Sequence, residues 1–467
     1  MNHPVSKKAA LWISAMGAFL PPFMGSSINI ALPEIGRTFA IGAIALGWVA
    51  TSFLATSAMC LVPFGRLADI HGRKRVFAYG IVVYTLSSLL AALSPSATFL
   101  IAARAVQGVG GAMIFGTGTA ILTSVFPIHE RGKALGINVA AVYLGLSLGP
   151  FFGGLLTQYL GWRSVFLINV PLGLVILLAI ARKLKGEWAE ARGEQFDWIG
   201  SIIYSLSLVT LMYGFSRLPA GVGVWLLIAG LIGLGGFAIW EAKTHSPILD
   251  VNLFRHNQVF ALSNLAALIN YSATFAVSFL LSLFLQSIKG LSPQSTGLIM
   301  VAQPVVQAAF SPLAGQLSDR IEPRVVASTG MAFTVIGLSL LTFLSATTAL
   351  VLIVADLMLL GFGFALFSSP NTNAIMSSVD RRFYGIASGT LGTMRLIGQM
   401  LSMGITMLVF ALYLGQAPIT AESSPLFLRS ERTIFTIFAL LCFGGIFASL
   451  GRGRVHEVTS SQGASRR

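Results

Sequence analysis

A chain of 467 residues that is 55% hydrophobic and 10% charged, with mean hydropathy +0.82, lies far from soluble domains, where about a quarter of residues are charged. Its net charge of +14 has no polar basic domain to carry it, which excludes a nucleic-acid-binding role and gives the charge a topological meaning. The two cysteines, Cys60 and Cys442, stand far apart in apolar runs and imply neither a disulfide framework nor a metal cluster.

Runs of about 20 mainly apolar residues predict membrane-spanning helices, and fourteen occur. The first, 9–32, follows Lys7 and Lys8, is too long for a secretion signal and lacks a small-residue cleavage site, so it reads as an uncleaved span. Spans at 45–64, 76–94, 98–126, 134–159 and 162–181 follow, then 197–216 and 222–240. The last six are 258–287, 294–317, 325–346, 348–373, 384–414 and 433–450. An even number of spans puts both termini on one side. The loops on that side hold 22 of the thirty Lys and Arg and the opposite loops 6, so the positive-inside rule predicts cytoplasmic termini.

The two ends of the chain repeat one another. Gly65-Arg66-Leu67-Ala68-Asp69 parallels Gly315-Gln316-Leu317-Ser318-Asp319, 250 residues on. Gly108, Gly110, Ala112, Ser124, Gly132, Ala134 and Gly136 match Gly361, Gly363, Ala365, Ser377, Gly385, Ala387 and Gly389, 253 residues on. Six spans per copy leave spans 7 and 8 as an insertion. The predicted organisation is a six-helix bundle at 1–183, two inserted helices with linkers at 184–257, a second bundle at 258–450 and a tail at 451–467.

Four stretches resemble the major facilitator superfamily, and within it the fourteen-span drug:proton antiporter family. Gly65-Arg66-Leu67-Ala68-Asp69-Ile70-His71-Gly72-Arg73-Lys74-Arg75 is similar to the signature between spans 2 and 3. Arg104-Ala105-Val106-Gln107-Gly108-Val109-Gly110-Gly111-Ala112 resembles that of span 4, and Gly145-Leu146-Ser147-Leu148-Gly149-Pro150-Phe151-Phe152-Gly153-Gly154 the antiporter signature of span 5. The run from Trp162 to Gly173, with Pro247-Ile248-Leu249-Asp250 and Leu253-Phe254-Arg255, resembles the fourteen-span branch in particular. The resemblance implies an all-α polytopic membrane protein with the major facilitator fold: two pseudo-symmetric six-helix bundles plus two inserted helices. It also implies a secondary transporter that exports small amphipathic compounds or drugs by alternating access, coupled to protons. One departure stands out: Asn29-Ile30-Ala31-Leu32-Pro33 is present, but the acid expected upstream in span 1 aligns with Met24.

Charges inside spans are costly and usually face a polar interior. On the boundaries above they are Arg104, Asp356 and Arg395. Asp356, about 12 Å inside span 12 at 1.5 Å per residue, and Arg104, whose repeat equivalent is the adjacent Leu357, are the proton-coupling candidates, Asp356 the leading one; cavity-facing, arginine-paired and shallow placements of Asp356 all stay open. Two cations against one acid favour neutral, anionic or zwitterionic amphiphiles. Candidate substrate-cavity residues are Ser26, Asn29, Asn270, Gln286 and Arg395. The polar series of span 9, Asn264, Asn270, Tyr271, Ser272, Thr274, Ser278, Ser282 and Gln286, reads equally as a cavity stripe or as interhelical hydrogen bonding. Phe151, Phe152, Phe364 and Phe367 line a lipophilic pocket or face lipid. Gly65, Asp69, Gly72, Arg73 and Asp319 form the latch that the resemblance implies, and Gly145, Gly149, Pro150, Gly153 and Gly154 a packing element or hinge.

An intramembrane enzyme is disfavoured. All six histidines, His3, His71, His129, His245, His256 and His456, fall in termini or loops, and no phosphate-binding Gly-x-x-x-x-Gly-Lys-Ser/Thr motif is present. No metal and no cofactor are expected, the proton gradient supplying energy. The expected partners are a small amphipathic substrate and the lipid bilayer of a bacterial or archaeal plasma membrane, with a monomer favoured. A lipid or metabolite exporter, an uncoupled facilitator and a non-transporting sensor are the alternatives.

Overall fold

The computed structural model describes residues 6–244, 248–249, 251–379, 384–415 and 423–453. Pro247 and Asp250 of the fourteen-span motif, and the tail beyond 453, lie outside them. Among the described residues there are fourteen helices long and apolar enough to cross a membrane. They are α1 (Lys7–Phe39), α2 (Ala43–His71), α3 (Arg73–Ala92), α4 (Ala97–Val125), α5 (Ile128–Leu160), α6 (Arg163–Lys183), α7 (Trp198–Arg217) and α8 (Gly221–Glu241). A short helix, Val251–His256, leads to α9 (Gln258–Ile288), α10 (Pro293–Arg320), α11 (Pro323–Leu341), α12 (Leu350–Ser377), α13 (Tyr384–Tyr413) and α14 (Ser424–Gly451). Helix starts follow local chemistry. Ser6, Ser96, Asp197 and Ser292 each cap the N-terminus of the next helix by accepting a backbone N–H three residues on.

The repeat is visible in the helix starts: Arg73 and Pro323 open α3 and α11 at offset 250, and Ala97 and Leu350 open α4 and α12 at offset 253. Two of the differences from the expected helix starts bear on the charged residues. Because α12 begins at Leu350, Asp356 lies about 9 Å rather than 12 Å along the helix. α14 begins at Ser424 rather than 433, so the inventory of charges within spans was incomplete. Arg429, Glu431 and Arg432 broke the apolar run and set the expected boundary too late; Arg432 donates to Thr342 O at 3.1 Å while Glu431 turns inward and is buried.

By packing, the chain forms two compact units, and these divide it differently from the repeat. The first contains Met1–Ile248, Val277–Val301 and Met403–Phe427. In it α1 lies along α5, α4 is clasped by α2 and α3, and the inserted α7 is bonded to α2 through Tyr204 Oη to Ala58 O (2.9 Å) and Ser205 Oγ to Met59 O (3.0 Å). The second unit contains Leu249–Ala276, Ala302–Ser402 and Leu428–Arg467, with α12 packed on α10 and α11.

Candidate functional site

The signature loop between α2 and α3 turns at Gly72, whose φ of +119° no side-chain-bearing residue adopts easily. A Cβ at Gly65 would meet nothing within 4 Å, while one at Gly116 of α4 would stand 3.4 Å from Gly65 Cα. Arg73 gathers the site: its guanidinium bonds Asp69 one turn earlier (2.7 Å), Ser124 on α4 (2.5 Å) and, in a two-pronged pair, Glu190 (2.8 and 3.1 Å). Glu190 belongs to the linker 184–197, a segment that the sequence alone gave no role. The linker also places Glu194 on Arg66 (2.5 Å) and Glu187 on the Lys74 N–H (2.8 Å). It adds two main-chain bonds, Arg73 N–H to Trp188 O and Ala191 N–H to Asp69 O (2.8 and 3.0 Å). In the second unit, the equivalent Asp319 accepts from Asn373 (3.3 Å). Arg73→Ala removes the centre of this clasp, and trypsin should then cut the linker at Lys185 and Arg192 several times faster than in wild type; equal cleavage rates would show that the main-chain bonds alone hold the linker.

Gly145, Gly149 and Gly153 face α1 at four-residue spacing. A Cβ at Gly153 would stand 2.7 Å from Ser27 Cα, and one at Gly145 2.7 Å from Phe19 O. Close approach lets Ser27 Oγ donate to Gly149 O at 2.9 Å, while Ser26 Oγ bonds Pro22 O at 2.9 Å within its own helix. Gly154 and Pro150 meet the start of α10 instead: a Cβ on Gly154 would stand 2.6 Å from Pro293 O, and Pro150 O lies against Gly297. Ser26 thus serves helix packing. So does Gln286, which donates to Ile30 O (2.9 Å) and to Ser282 Oγ (3.1 Å), while Ser282 donates to Asn29 O (2.5 Å). Met24, where the resemblance leads one to expect an acid, is fully buried with Asn169 Nδ2 3.2 Å from its sulfur.

Arg104 is fully buried inside the first unit and its charge is satisfied there. Nε donates to Val49 O (3.1 Å), a terminal nitrogen to Gln107 Oε1 (2.5 Å), and the guanidinium stacks 4.6 Å from the Phe53 ring. Gln107 passes the chain on to Ser88 (2.6 Å). Arg104 therefore ties α4 to α2 and α3.

The second unit holds acids of another kind. Asp356 on α12 is buried against Gly337 of α11, where an added Cβ would stand 3.2 Å from Oδ1, and neither carboxyl oxygen has a hydrogen-bond partner. Among the described residues no arginine pairs with it. Glu431 on α14 is also buried with both oxygens unbonded. Asn270 is buried on α9, its main-chain carbonyl accepting from Thr274. Arg395, half-buried on α13, stacks 5.1 Å from the Tyr271 ring of α9, and Tyr271 meets the edge of Phe364 of α12 at 5.4 Å. Beyond the last span, Arg452 is fully buried and donates to Ser263 Oγ (3.1 Å), Asn371 Oδ1 (2.7 Å) and Pro323 O (2.9 Å), uniting the ends of α9, α12, α11 and α14. Burial lowers its guanidinium to about 10, Arg324 acting in the same direction and Glu322 against it, so it stays charged at neutral pH. No group of three or more His, Cys, Asp or Glu able to hold a metal occurs among the described residues.

Fourteen membrane helices built on a repeated six-helix plan, with a glycine-turned signature loop and buried acids, define a polytopic transporter. The description "Major Facilitator Superfamily" matches residues 13–403 and 263–465. The chain belongs to the major facilitator superfamily, whose members are transporters and not enzymes. It is 30% identical to the riboflavin transporter RibZ of Clostridioides difficile over 95% of this chain and 97% of that one. It is 31% identical to the multidrug resistance protein Stp of Mycobacterium tuberculosis over 86% and 75%, and 33% identical to the cephamycin export protein CmcT of Amycolatopsis lactamdurans over 86% and 84%. The fold is that of the human organic anion transporter MFSD10, with a TM-score of 0.63 at 16% identity over 95% of this chain and 99% of that one.

Proposed function

We propose that this transporter is a proton-coupled exporter of small amphipathic compounds, working by alternating access with Asp356 as the proton carrier and without a bound cofactor. The observation that carries the reading is Asp356 itself, a buried carboxyl with neither oxygen bonded. An ionised carboxylate left without a partner in such surroundings costs several kcal/mol. The group therefore changes charge only when rearrangement brings water or a cation to it, and this dependence is what links proton movement to conformation. Relatives named for multidrug resistance and cephamycin export support the outward direction. The basic excess on the terminus side supports cytoplasmic termini, with the exporter acting as a monomer in a bacterial or archaeal plasma membrane.

Uptake of neutral, cationic and anionic fluorescent amphiphiles into inverted vesicles tests this. Wild type should accumulate dye only under an imposed proton gradient and lose it on addition of a protonophore; Asp356→Asn should reach the membrane in normal amount and no longer respond to the gradient. Unaltered coupling in that variant removes Asp356 from the mechanism, and Glu431→Gln, measured alongside, identifies the other buried acid of this unit as the carrier if it alone uncouples.

A second reading is facilitated movement of a specific metabolite without proton coupling. Two observations favour it: the thioether of Met24, held against Asn169 where an acid was expected, and the likeness to a riboflavin transporter. Gradient-insensitive dye movement by wild type would select this reading.

A further inference from the structure

We propose that Arg395, Tyr271 and Phe364 form the recognition site for a planar aromatic carboxylate, with Arg395 taking the carboxylate and the two rings the aromatic body. The proposal deepens the transporter reading by naming its substrate class, and rests on it only for the movement of that substrate. Arg395 is eleven residues into α13, about 16 Å along a 30-residue helix at 1.5 Å per residue, well inside the span, in an architecture whose substrate sites lie towards the midplane.

Three features make it a built site. First, the guanidinium has no acid partner: its Nε is buried and unbonded, and no carboxylate among the described residues pairs with it. Asp356, the acid on neighbouring α12, is eight residues from Phe364, about 12 Å along the helix. A guanidinium matches a carboxylate with two parallel donors, so a cation at this depth favours an anion and disfavours a cation. Second, the side chain is held rather than free, stacked over Tyr271. Gly398, one turn on, makes room for that arrangement: a Cβ there would stand 2.9 Å from Tyr271 Cβ and 2.6 Å from Leu268 O. Third, Tyr271 is buried while Arg395 and Phe364 on either side of it stay partly exposed. A ligand therefore meets a cation and an aromatic edge joined by one rigid ring, within the span of the two contacts of 5.1 and 5.4 Å. Arg104, also inside a span, offers no such site, because Val49, Gln107 and Phe53 occupy it.

The test uses purified full-length protein in detergent and three probes that differ only in the end group: 1-pyrenebutyrate, 1-pyrenebutanol and 1-pyrenebutylamine, with binding read by fluorescence anisotropy. Wild type should bind pyrenebutyrate at least tenfold more tightly than the amine. Arg395→Gln should weaken pyrenebutyrate at least tenfold and leave pyrenebutanol unchanged. Arg395→Lys should recover part of the loss, and Tyr271→Leu should weaken the acid and the alcohol together. Equal or tighter amine binding by wild type, no binding of pyrenebutyrate, or an unchanged acid-to-alcohol ratio in Arg395→Gln would each overturn the proposal. If Arg395→Gln is not monodisperse, Gly398→Ala serves in its place, since displacing Tyr271 should lower the same ratio; a ratio left at the wild-type value overturns the proposal too. Equilibrium binding needs no gradient, so a protein that selects the acid yet moves dye without a gradient fails the proton-coupled reading and keeps this one, and the converse outcome fails this one alone.

Discussion

Gly149→Leu is expected to abolish recovery of folded transporter, while Gly136→Leu on the same helix is expected to be close to neutral. At Gly149 the first added carbon would overlap Ser26 Oγ and stand 2.8 Å from Phe23 O, whereas at Gly136 nothing lies within 4 Å. Membrane helices gain no hydrophobic energy by leaving lipid for one another; they associate through close packing and polar contacts, for which small residues are needed. Leucine must push α1 and α5 apart, and separation also breaks Ser27 Oγ to Gly149 O. Overpacking a tight core costs about 1–3 kcal/mol even where neighbours can shift, and here the neighbour at 2.8 Å is main chain, which cannot turn aside. Size-exclusion profiles and thermal unfolding of the two variants in detergent give the comparison. Matching behaviour would mean that the close approach of α1 and α5 is dispensable.

Arg452→Met should lower stability by about 3 kcal/mol, since removing one partner leaves buried polar groups unsatisfied at roughly 1–3 kcal/mol each. Asn371 Oδ1 and Pro323 O lose their donor, and Ser263 Oγ loses a partner. Methionine approximates the aliphatic stem, so the loss reports the polar contacts rather than a cavity. Arg452→Lys reaches only one of the three acceptors and should fall between. A fall in melting temperature of several degrees, with α14 becoming accessible to protease at its end, is the expected outcome; an unchanged melting temperature would show that Gln258 Nε2 to Gly451 O (3.1 Å) suffices to hold that end.

Hydropathy and repeated motifs were enough to read the fold, because a spanning helix announces itself over some twenty consecutive residues. The span count, the duplication and the signature turn at Gly72 all reappear in the structure. The site was legible only in part, and the reasons are specific. Arg429, Glu431 and Arg432 crowd one stretch, and hydropathy cannot say which of three neighbouring charges faces inward when one residue rotates the side chain by about 100°. Arg452 fell outside the apolar run and so read as tail. Glu190 and Glu194 meet their arginines, and Glu187 the Lys74 N–H, across more than a hundred residues, a distance over which no local pattern reports. Arg104 and Gln286 were visible as polar residues inside spans, but the carbonyls that satisfy them, Val49 O and Ile30 O, belong to the main chain and leave no trace in side-chain identity. Tyr271 was counted in a polar stripe; that it carries Arg395 on one side and Phe364 on the other depends on three separate helices.

The bonds joining α1 to α9 have a further consequence for how this protein tolerates mutation. Ser282 and Gln286 supply the donors, while Asn29 and Ile30 contribute only carbonyls. Every amino acid offers the same carbonyl, so in an exhaustive substitution library the two partners of one contact should behave unequally: α1 drifts freely at these positions within the limits of volume, and α9 bears the selective constraint alone.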